Sequence, residues 1–348
     1  MAELLPGVPL QFFRLRFSDQ DGPFPFPYIP AKLAFPEIIQ DKHTLTTPTA
    51  MTKTAASIKD LNIKDQELKQ LHLSKVLFRN LVAYADPTRP LPDTDFEYST
   101  LDLTADGKSE ASEDALAKAV HSMHLEAAAM QSRTCLANSQ NHSQVYIISS
   151  MYPIANLAVK QRYNLNLPDG NPLPSSDIPH WRGNVMRADA LHIFDVDENP
   201  AGLADGILDC GVNKNSNAVL HCKPDWTYTN ASLEKIFVNG ALRDDEGNGG
   251  YNWDLDTREG RLIRQFWGSM VVMGCHFGIW SNGSKVFFAV RLADQRRLVC
   301  TPPREWTHPD TVRAVVGLTY AAIDANNWEK NHEINLAEKL AGPETTPA

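Results

Sequence analysis

The dipeptide Asn282-Gly283 is the feature that most constrains how this chain folds. It separates two β-compatible runs, 276–281 and 285–291, and Asn-Gly between such runs is a strong signal for a tight β-hairpin. Just before it, apolar residues recur at helical spacing over 258–273, which predicts an amphipathic helix. A hairpin that follows directly on such a helix indicates a sheet with helices packed against it.

A second hairpin is predicted upstream of that helix. The runs 207–212 and 219–223 favour strands, and the cluster 213–217 between them is rich in Asn and Ser, which favour turns. If the turn is centred near Asn215, cross-strand pairing places Asp209 opposite His221, with Lys223 on the diagonal. Because side chains alternate along a strand, we expect Asp209, His221 and Lys223 on one face of the hairpin.

The spacing of apolar residues and the positions of prolines divide the rest of the chain into predicted segments. The first 60 residues are rich in Pro, Phe and Thr, with a short helix predicted near 31–40, and a longer helix is predicted over 63–84. A further helix is predicted from 109 to about 137, and a closing helix over 309–324, with Pro309 in its first turn. The predicted organisation is an irregular N-terminal extension (1–108), an α/β or α+β domain with a central mixed β-sheet flanked by helices (109–325) and a C-terminal tail (326–348).

Composition narrows the functional classes. The 348 residues are 43% hydrophobic, which is enough to form a core. No apolar run approaches about 18 residues and no secretory signal is visible, so we expect no membrane partner and an intracellular protein, cytoplasmic or nuclear. The five cysteines form no C-x-x-C pair, which argues against a zinc site or a disulfide framework. The chain also lacks a P-loop, a Rossmann glycine fingerprint and a G-x-S-x-G elbow.

Positive charge is concentrated in one region of an acidic chain. The net charge is −9, yet residues 258–304 carry eight Lys or Arg against two acids. Phosphate contacts need local cations, so any contact with DNA or RNA is expected around Arg258, Arg261 and Arg264 on the predicted helix. The alternative is that these arginines form an ordinary solvated helix face.

The order of these features resembles the PD-(D/E)XK nuclease superfamily, in particular divergent members that are common in fungal genomes. That order is an acidic strand, a hairpin ending in (E/D)-x-K, a helix that bears Gln and a Gly-containing hairpin. The resemblance covers about residues 110–325. The matching segments are Leu208-Asp209-Cys-Gly-Val212, Leu220-His221-Cys222-Lys223-Pro224, Arg264-Gln265-Phe-Trp-Gly268-Ser-Met270 and Phe277-Gly278-Ile-Trp-Ser-Asn282-Gly283.

The resemblance implies a set of site residues. Asp209, His221, Lys223 and Gln265 would be catalytic, and Asp209 and His221 would bind the metal, Mg²⁺ or Mn²⁺. Each has an ordinary alternative: Asp209 as a strand-end acid, His221 as a hydrogen-bonded core histidine, Lys223 and Gln265 as solvated surface.

The chain departs from the family pattern at its carboxylates. His221 stands where the family has Glu or Asp, and Ser143 stands at the expected place of an upstream Glu. Mg²⁺ prefers hard oxygen ligands, and one carboxylate holds it poorly. We therefore expect a degenerate nuclease-like protein, weak or inactive, that binds nucleic acid or a protein partner. Two alternatives remain: an active metal-dependent nuclease with a rearranged site, in which Glu126 or Asp225 would substitute, and a regulatory module without a nucleic-acid role.

Overall fold

The computed structural model describes residues 34–35, 37–40, 67–85, 135–137, 140–164, 179–183, 204–210, 213–239, 258–292, 296–328 and 336–342. The helices described are α1 Lys75–Tyr84, α2 Gln140–Asn164, α3 Asn230–Asn239, α4 Arg258–Val272, α5 Pro309–Trp328 and α6 Leu336–Ala341. The strands described are β1 Ile38–Gln40, β2 Gln70–Leu73, β3 Cys135–Ala137, β4 His180–Gly183, β5 Gly206–Cys210, β6 Asn213–Cys222, β7 Phe277–Ser281, β8 Lys285–Leu292, β9 Arg297–Cys300 and β10 Arg304–Glu305.

One mixed sheet of eight strands organises these elements. Its strands run in the order β2, β9, β8, β7, β6, β5, β4, and β10 pairs with β8 as well. β4, β5 and β6 are antiparallel, as are β7, β8 and β9, whereas β6 is parallel to β7 and β2 is parallel to β9. β1 and β3 form a separate parallel pair. The expected central mixed sheet with flanking helices, and thus the α/β class, is confirmed.

Strand alternation divides the apolar side chains between two cores. Leu220 and Cys222 of β6 belong to the core that contains residues of α1, α2, α5 and α6, whereas Val219 belongs to the core that contains residues of α3 and α4. β7 is buried at every position, as expected for a strand with helices on both faces. In the part of the chain that the structure describes, no helix combines the length and the apolar character needed to cross a membrane.

Several predicted elements are confirmed, and two differ. Both hairpins, the helix that becomes α4 and the closing helix that becomes α5 are present. The segment predicted as one helix over 63–84 instead contains β2 and then α1, because extended Ser74 caps the helix by accepting a hydrogen bond from the Leu77 backbone N–H at 3.1 Å. Residues 38–40, predicted as part of a helix, form β1. The helix predicted from 109 falls outside the described residues, apart from its end at 135–137, which is strand β3.

The predicted extension and tail both contribute to this same fold. β2 pairs with β9 of the main sheet, and α1 packs on α5. Near the C-terminus, α6 buries Leu336 and Leu340, and the Ser74 hydroxyl donates a hydrogen bond to the Ala341 carbonyl at 3.0 Å. Residues on either side of 108 and of 325 therefore belong to one shared core.

Candidate functional site

Asp205, the residue just before β5, lies at the centre of a polar cluster. Its Oδ2 accepts a hydrogen bond from the Cys222 backbone N–H at 2.7 Å, and its Oδ1 accepts one from the side-chain amide of Gln144 on α2. The ammonium group of Lys223 lies close enough to attract the carboxylate charge. We refer to Gln144, Asp205 and Lys223 as the Asp205 cluster; it joins α2 to the β5–β6 hairpin.

Strand register explains why this carboxylate meets the end of β6. Gly206 pairs with Leu220 in the antiparallel ladder. Asp205, one residue earlier, is therefore level with His221 and reaches the backbone of the next residue, Cys222. The β5–β6 pairing was expected to bring Asp209 close to Lys223. It brings Asp205 there instead, four residues upstream of Asp209.

The surroundings of Asp205 work against its ionised form. The residue keeps part of its surface exposed, but burial of the carboxyl group raises its pKa above the usual value. The charge of Lys223 and the hydrogen bonds from Cys222 and Gln144 oppose that effect and do not cancel it. A carboxyl group with a raised pKa and both oxygens already hydrogen-bonded is poorly suited to binding a further cation.

Tyr152 of α2 packs against the backbone at the same place. Its hydroxyl donates a hydrogen bond to the Arg182 carbonyl of β4 at 3.0 Å. A Cβ atom placed on Gly206 would lie only 1.8 Å from that hydroxyl oxygen. Burial raises the pKa of Tyr152, and the nearby Cys222 and Asp205 raise it further, so the phenol remains a neutral hydrogen-bond donor.

Asp209 does not occupy its expected place. It pairs with Ser216 rather than His221, and its carboxylate forms an ion pair with Arg182 Nε at 2.8 Å. The prediction centred the turn near Asn215, but residues 213–217 belong to β6, which begins at Asn213. A register irregularity on either side of Asp209 adds to the shift. Asp209 therefore lies towards the opposite end of the hairpin from Lys223.

His221 is a hydrogen-bonded core histidine. It is 1% exposed, and its Nε2 lies 2.9 Å from the Ser269 hydroxyl of α4. Because that hydroxyl donates to the Gln265 carbonyl at 2.9 Å, it accepts from the imidazole, which fixes the proton on Nε2. Burial, with a smaller contribution from the charge of Lys223, lowers the pKa of His221 to about 3. The environment of His221 is therefore that of a hydrogen-bonded core histidine, the alternative to a metal ligand.

We predict that protonation of His221 contributes to acid unfolding. Its pKa is 6.5 in the unfolded chain and about 3 in the folded protein. Between these values the unfolded state binds the extra proton, so stability falls as the pH falls through this window, by an amount on the order of several kcal/mol. Asp205 acts with the opposite sign, since its raised pKa makes the folded state bind a proton first. Urea unfolding from pH 7.5 to pH 4 should show a shallower loss of stability in His221→Gln than in the wild type.

The matched control is His308→Gln, which makes the same substitution at an exposed histidine. Identical profiles for His221→Gln and the wild type would contradict the buried, neutral state of His221.

The remaining predicted site residues lie on α4. Gln265 is partly exposed, and the contact that the structure gives for it is through its backbone carbonyl, to Ser269. Arg261 and Arg264 are partly buried on the same helix, and Arg258 is its first residue. The residues that contact the Asp205 carboxylate come from α2 and β6, so the described contacts do not bring Gln265 into the Asp205 cluster.

Asn282 holds the chain that follows Lys223. Its Oδ1 accepts hydrogen bonds from the backbone N–H groups of Ser284 and Lys285, at 3.0 and 2.6 Å. Its amide donates to the Tyr228 carbonyl at 2.8 Å and to Asn230 Oδ1 at 3.2 Å. The hairpin turn predicted from Asn282-Gly283 is confirmed, with Gly283 at φ 84°, and its asparagine also ties the turn to the segment after β6.

Sequence reasoning missed Asp205, Gln144 and Tyr152. Asp205 lies outside its strand, and the acid within the strand, Asp209, gave the stronger pattern. Gln144 is adjacent to Ser143, the residue matched to the upstream Glu, but the buried Ser143 hydroxyl has no hydrogen-bond partner among the described residues, whereas Gln144 contacts the carboxylate. The signal that was available is the pair Asp205-Gly206, an acid followed by the glycine that permits close approach of another side chain.

The donors of the Asp205 cluster do not match a hard divalent cation. The cluster provides one carboxylate, one amide and one ammonium group, and the amide already donates to the carboxylate. Among the described residues, no three His, Cys, Asp or Glu side chains come together in a way that could hold a metal ion.

Comparison with protein-family models, with curated proteins and with solved structures finds no match to this chain.

Proposed function

We propose that this chain contains a degenerate PD-(D/E)XK nuclease-like domain that binds nucleic acid and does not cut it with Mg²⁺. The order of elements supports the proposal: β5 and β6 form a hairpin that ends in Lys223-Pro224, α4 with Gln265 follows, and β7 and β8 form the Gly-containing hairpin. The acid belonging to that order is Asp205 rather than Asp209, since Asp205 is the one near Lys223.

The observation that carries the proposal is the state of the Asp205 carboxylate. Its two oxygens accept hydrogen bonds from Gln144 and Cys222, and Lys223 supplies the nearby positive charge. Among the described residues, no group of three His, Cys, Asp or Glu side chains completes a metal site for hydrolysis around this carboxylate. The same observation weighs against the alternative of an active nuclease with a rearranged site.

Nucleic-acid binding rests on the concentration of positive charge over residues 258–304, which carry eight Lys or Arg against two acids. Several of these cations are already engaged: Arg291 is buried and donates to the Cys275 carbonyl at 2.8 Å, Lys285 pairs with Glu305, and Arg297 donates to Gln70 at 2.8 Å. Arg258, Arg261 and Arg264, which lie together on α4, are the cations we propose for phosphate contact, together with Lys223. The alternative is a regulatory module that binds a protein partner. It would have the same Asp205 cluster, but its basic residues would not contact phosphate.

We predict that the purified protein cleaves neither DNA nor RNA in Mg²⁺ or Mn²⁺, because a single carboxyl group with a raised pKa provides too few oxygen ligands to hold the metal that would activate water. Cleavage is measured on plasmid DNA and on structured RNA. The informative variants are Gln144→Glu, which adds a carboxylate at the residue that contacts Asp205, and Gln144→Glu/His221→Glu, which also places one at the (E/D) position of the motif. Mn²⁺ binding by each variant, measured calorimetrically, gives a readout that does not depend on activity.

Tighter Mn²⁺ binding by Gln144→Glu than by the wild type, with or without cleavage, supports the assignment of the site. Ser143→Glu is the matched control, since the neighbouring residue does not contact Asp205 and should add no metal affinity. Wild-type cleavage that is lost in Asp205→Ala or Lys223→Ala contradicts the proposal, and the active nuclease then becomes the correct assignment.

A further inference from the structure

Trp226 differs from the other tryptophans whose side chains the structure describes. Trp181, Trp267, Trp280 and Trp306 are each 2% exposed or less. Trp226 keeps part of its surface exposed, and it lies three residues after Lys223. A partly exposed indole has unused apolar area and a flat face, which are the properties that make Trp frequent at binding surfaces.

The turn that carries Trp226, residues 224–228, is held at both ends. At its start, the Lys223 backbone N–H donates to the Ser281 carbonyl at 3.0 Å. Within it, the backbone N–H groups of Thr227 and Tyr228 both donate to the Pro224 carbonyl, at 2.9 and 3.1 Å. At its end, the Tyr228 carbonyl accepts from the Asn282 amide. The backbone that carries the indole is therefore ordered before any ligand arrives, which lowers the entropic cost of binding.

Tyr228 anchors the turn to the core, whereas Trp226 keeps part of its side chain exposed. The Tyr228 ring packs edge-on against Trp280, with the ring centres 5.8 Å apart, and so fastens the turn to the core formed with α3 and α4. The Asp225 carboxylate accepts a hydrogen bond from the Trp226 backbone N–H, which directs its negative charge into the turn. The indole of Trp226 and the ammonium group of Lys223, both partly exposed, lie three residues apart along the chain.

From this arrangement we infer that the 224–228 turn is a stacking platform for one unpaired nucleobase, with Lys223 attracting the adjoining phosphate. The inference rests on the proposed nucleic-acid function and adds the class of ligand. A base inside a duplex has both faces covered by its neighbours, so the platform selects single-stranded or unpaired nucleic acid. A peptide ring would also stack on an indole, but it brings no phosphate to a neighbouring lysine.

The test measures the anisotropy of fluorescein-labelled 12-mers, one single-stranded oligo(dT) and one duplex of mixed sequence, at about 50 mM salt. We expect the wild type to bind the single strand more tightly than the duplex. Trp226→Ala should weaken single-strand binding by about tenfold, as is usual when one stacking aromatic is removed. Trp226→Tyr keeps a stacking ring and should retain most of the affinity.

A second measurement guards against loss of folding in the alanine variant. Stacking of a base quenches indole fluorescence, so titration of unlabelled oligo(dT) should quench the wild type more than Trp226→Phe. Thermal unfolding of each variant confirms that its fold is intact.

Each outcome separates the platform from the broader proposal. Tight single-strand binding that is unchanged in Trp226→Ala, with equal quenching in Trp226→Phe, overturns the platform and leaves a nucleic-acid-binding protein. Failure of the wild type to bind either oligonucleotide overturns both proposals. A protein surface then becomes the class of ligand that suits a partly exposed tryptophan on a hydrogen-bonded turn.

Discussion

Gly317→Ala is expected to destabilise the protein by about 3 kcal/mol or more, among the largest effects of a single added methyl group. Gly317 lies in α5 where that helix crosses α1, and a Cβ atom there would lie 1.8 Å from the Leu81 carbonyl oxygen and 3.1 Å from the Ala85 backbone nitrogen. Both are backbone atoms, one in α1 and one in the residue that follows it, so no change of side-chain rotamer relieves the contact. The helices must separate, and the core between them must open.

The sign of this effect is itself informative. In an exposed helix, Gly→Ala stabilises by about 1 kcal/mol because alanine loses less conformational freedom on folding. Gly274→Ala is the control: a Cβ there meets nothing within 4 Å, and its φ of 66° costs an alanine only about 1 kcal/mol. Urea unfolding midpoints should therefore rank wild type, then Gly274→Ala, then Gly317→Ala. A Gly317→Ala protein as stable as the wild type would show that the two helices do not cross at this distance.

Gly206→Ala is expected to cost about 2 to 3 kcal/mol by a contact that a second substitution can relieve. The added Cβ would lie 1.8 Å from the Tyr152 hydroxyl oxygen, while the next atoms, Tyr152 Cζ and Leu220 Cβ, are 3.1 and 3.4 Å away. Tyr152→Phe removes that oxygen at the cost of its hydrogen bond to Arg182, about 1 kcal/mol. The double variant should therefore be more stable than the sum of the single effects predicts, by about 1 to 2 kcal/mol.

This double-mutant cycle also tests the geometry of the Asp205 cluster. Asp205 precedes Gly206 directly, so a displacement of this backbone moves the carboxylate relative to the Cys222 N–H. If the two substitutions prove additive, the tyrosine moves aside freely and does not fix the backbone beside Asp205. Leu298→Ala, a truncation in the core formed with α3 and α4, should show no coupling to Tyr152→Phe, since these residues belong to different cores.

The two hairpins and two of the helices could be predicted because their signals are local. Asn282-Gly283 requires a tight turn whatever surrounds it, and the apolar spacing of α4 follows from its own 15 residues. Such patterns depend on backbone geometry and on which side chains must leave water. They led correctly to a mixed sheet with helices.

The acid that lies near Lys223 could not be predicted, because its identity depends on the register between β5 and β6. A difference of a few residues in where the β5–β6 turn lies exchanges Asp209 for Asp205, and the turn-forming residues 213–217 became part of β6. Strand extension there gains ladder hydrogen bonds, and those bonds outweighed the local preference of Asn and Ser for a turn.

Chain-distant contacts were likewise decided by the tertiary structure alone. Gln144 reaches Asp205 from a helix 61 residues away, and β2 joins the sheet beside β9 across more than 200 residues. The sequence by itself determined the two hairpins and the helices α4 and α5, because their signals lie within the elements themselves. Packing of α2 against the β5–β6 hairpin decided which acid is held, because only the folded chain sets which polar groups share a buried space and must satisfy one another.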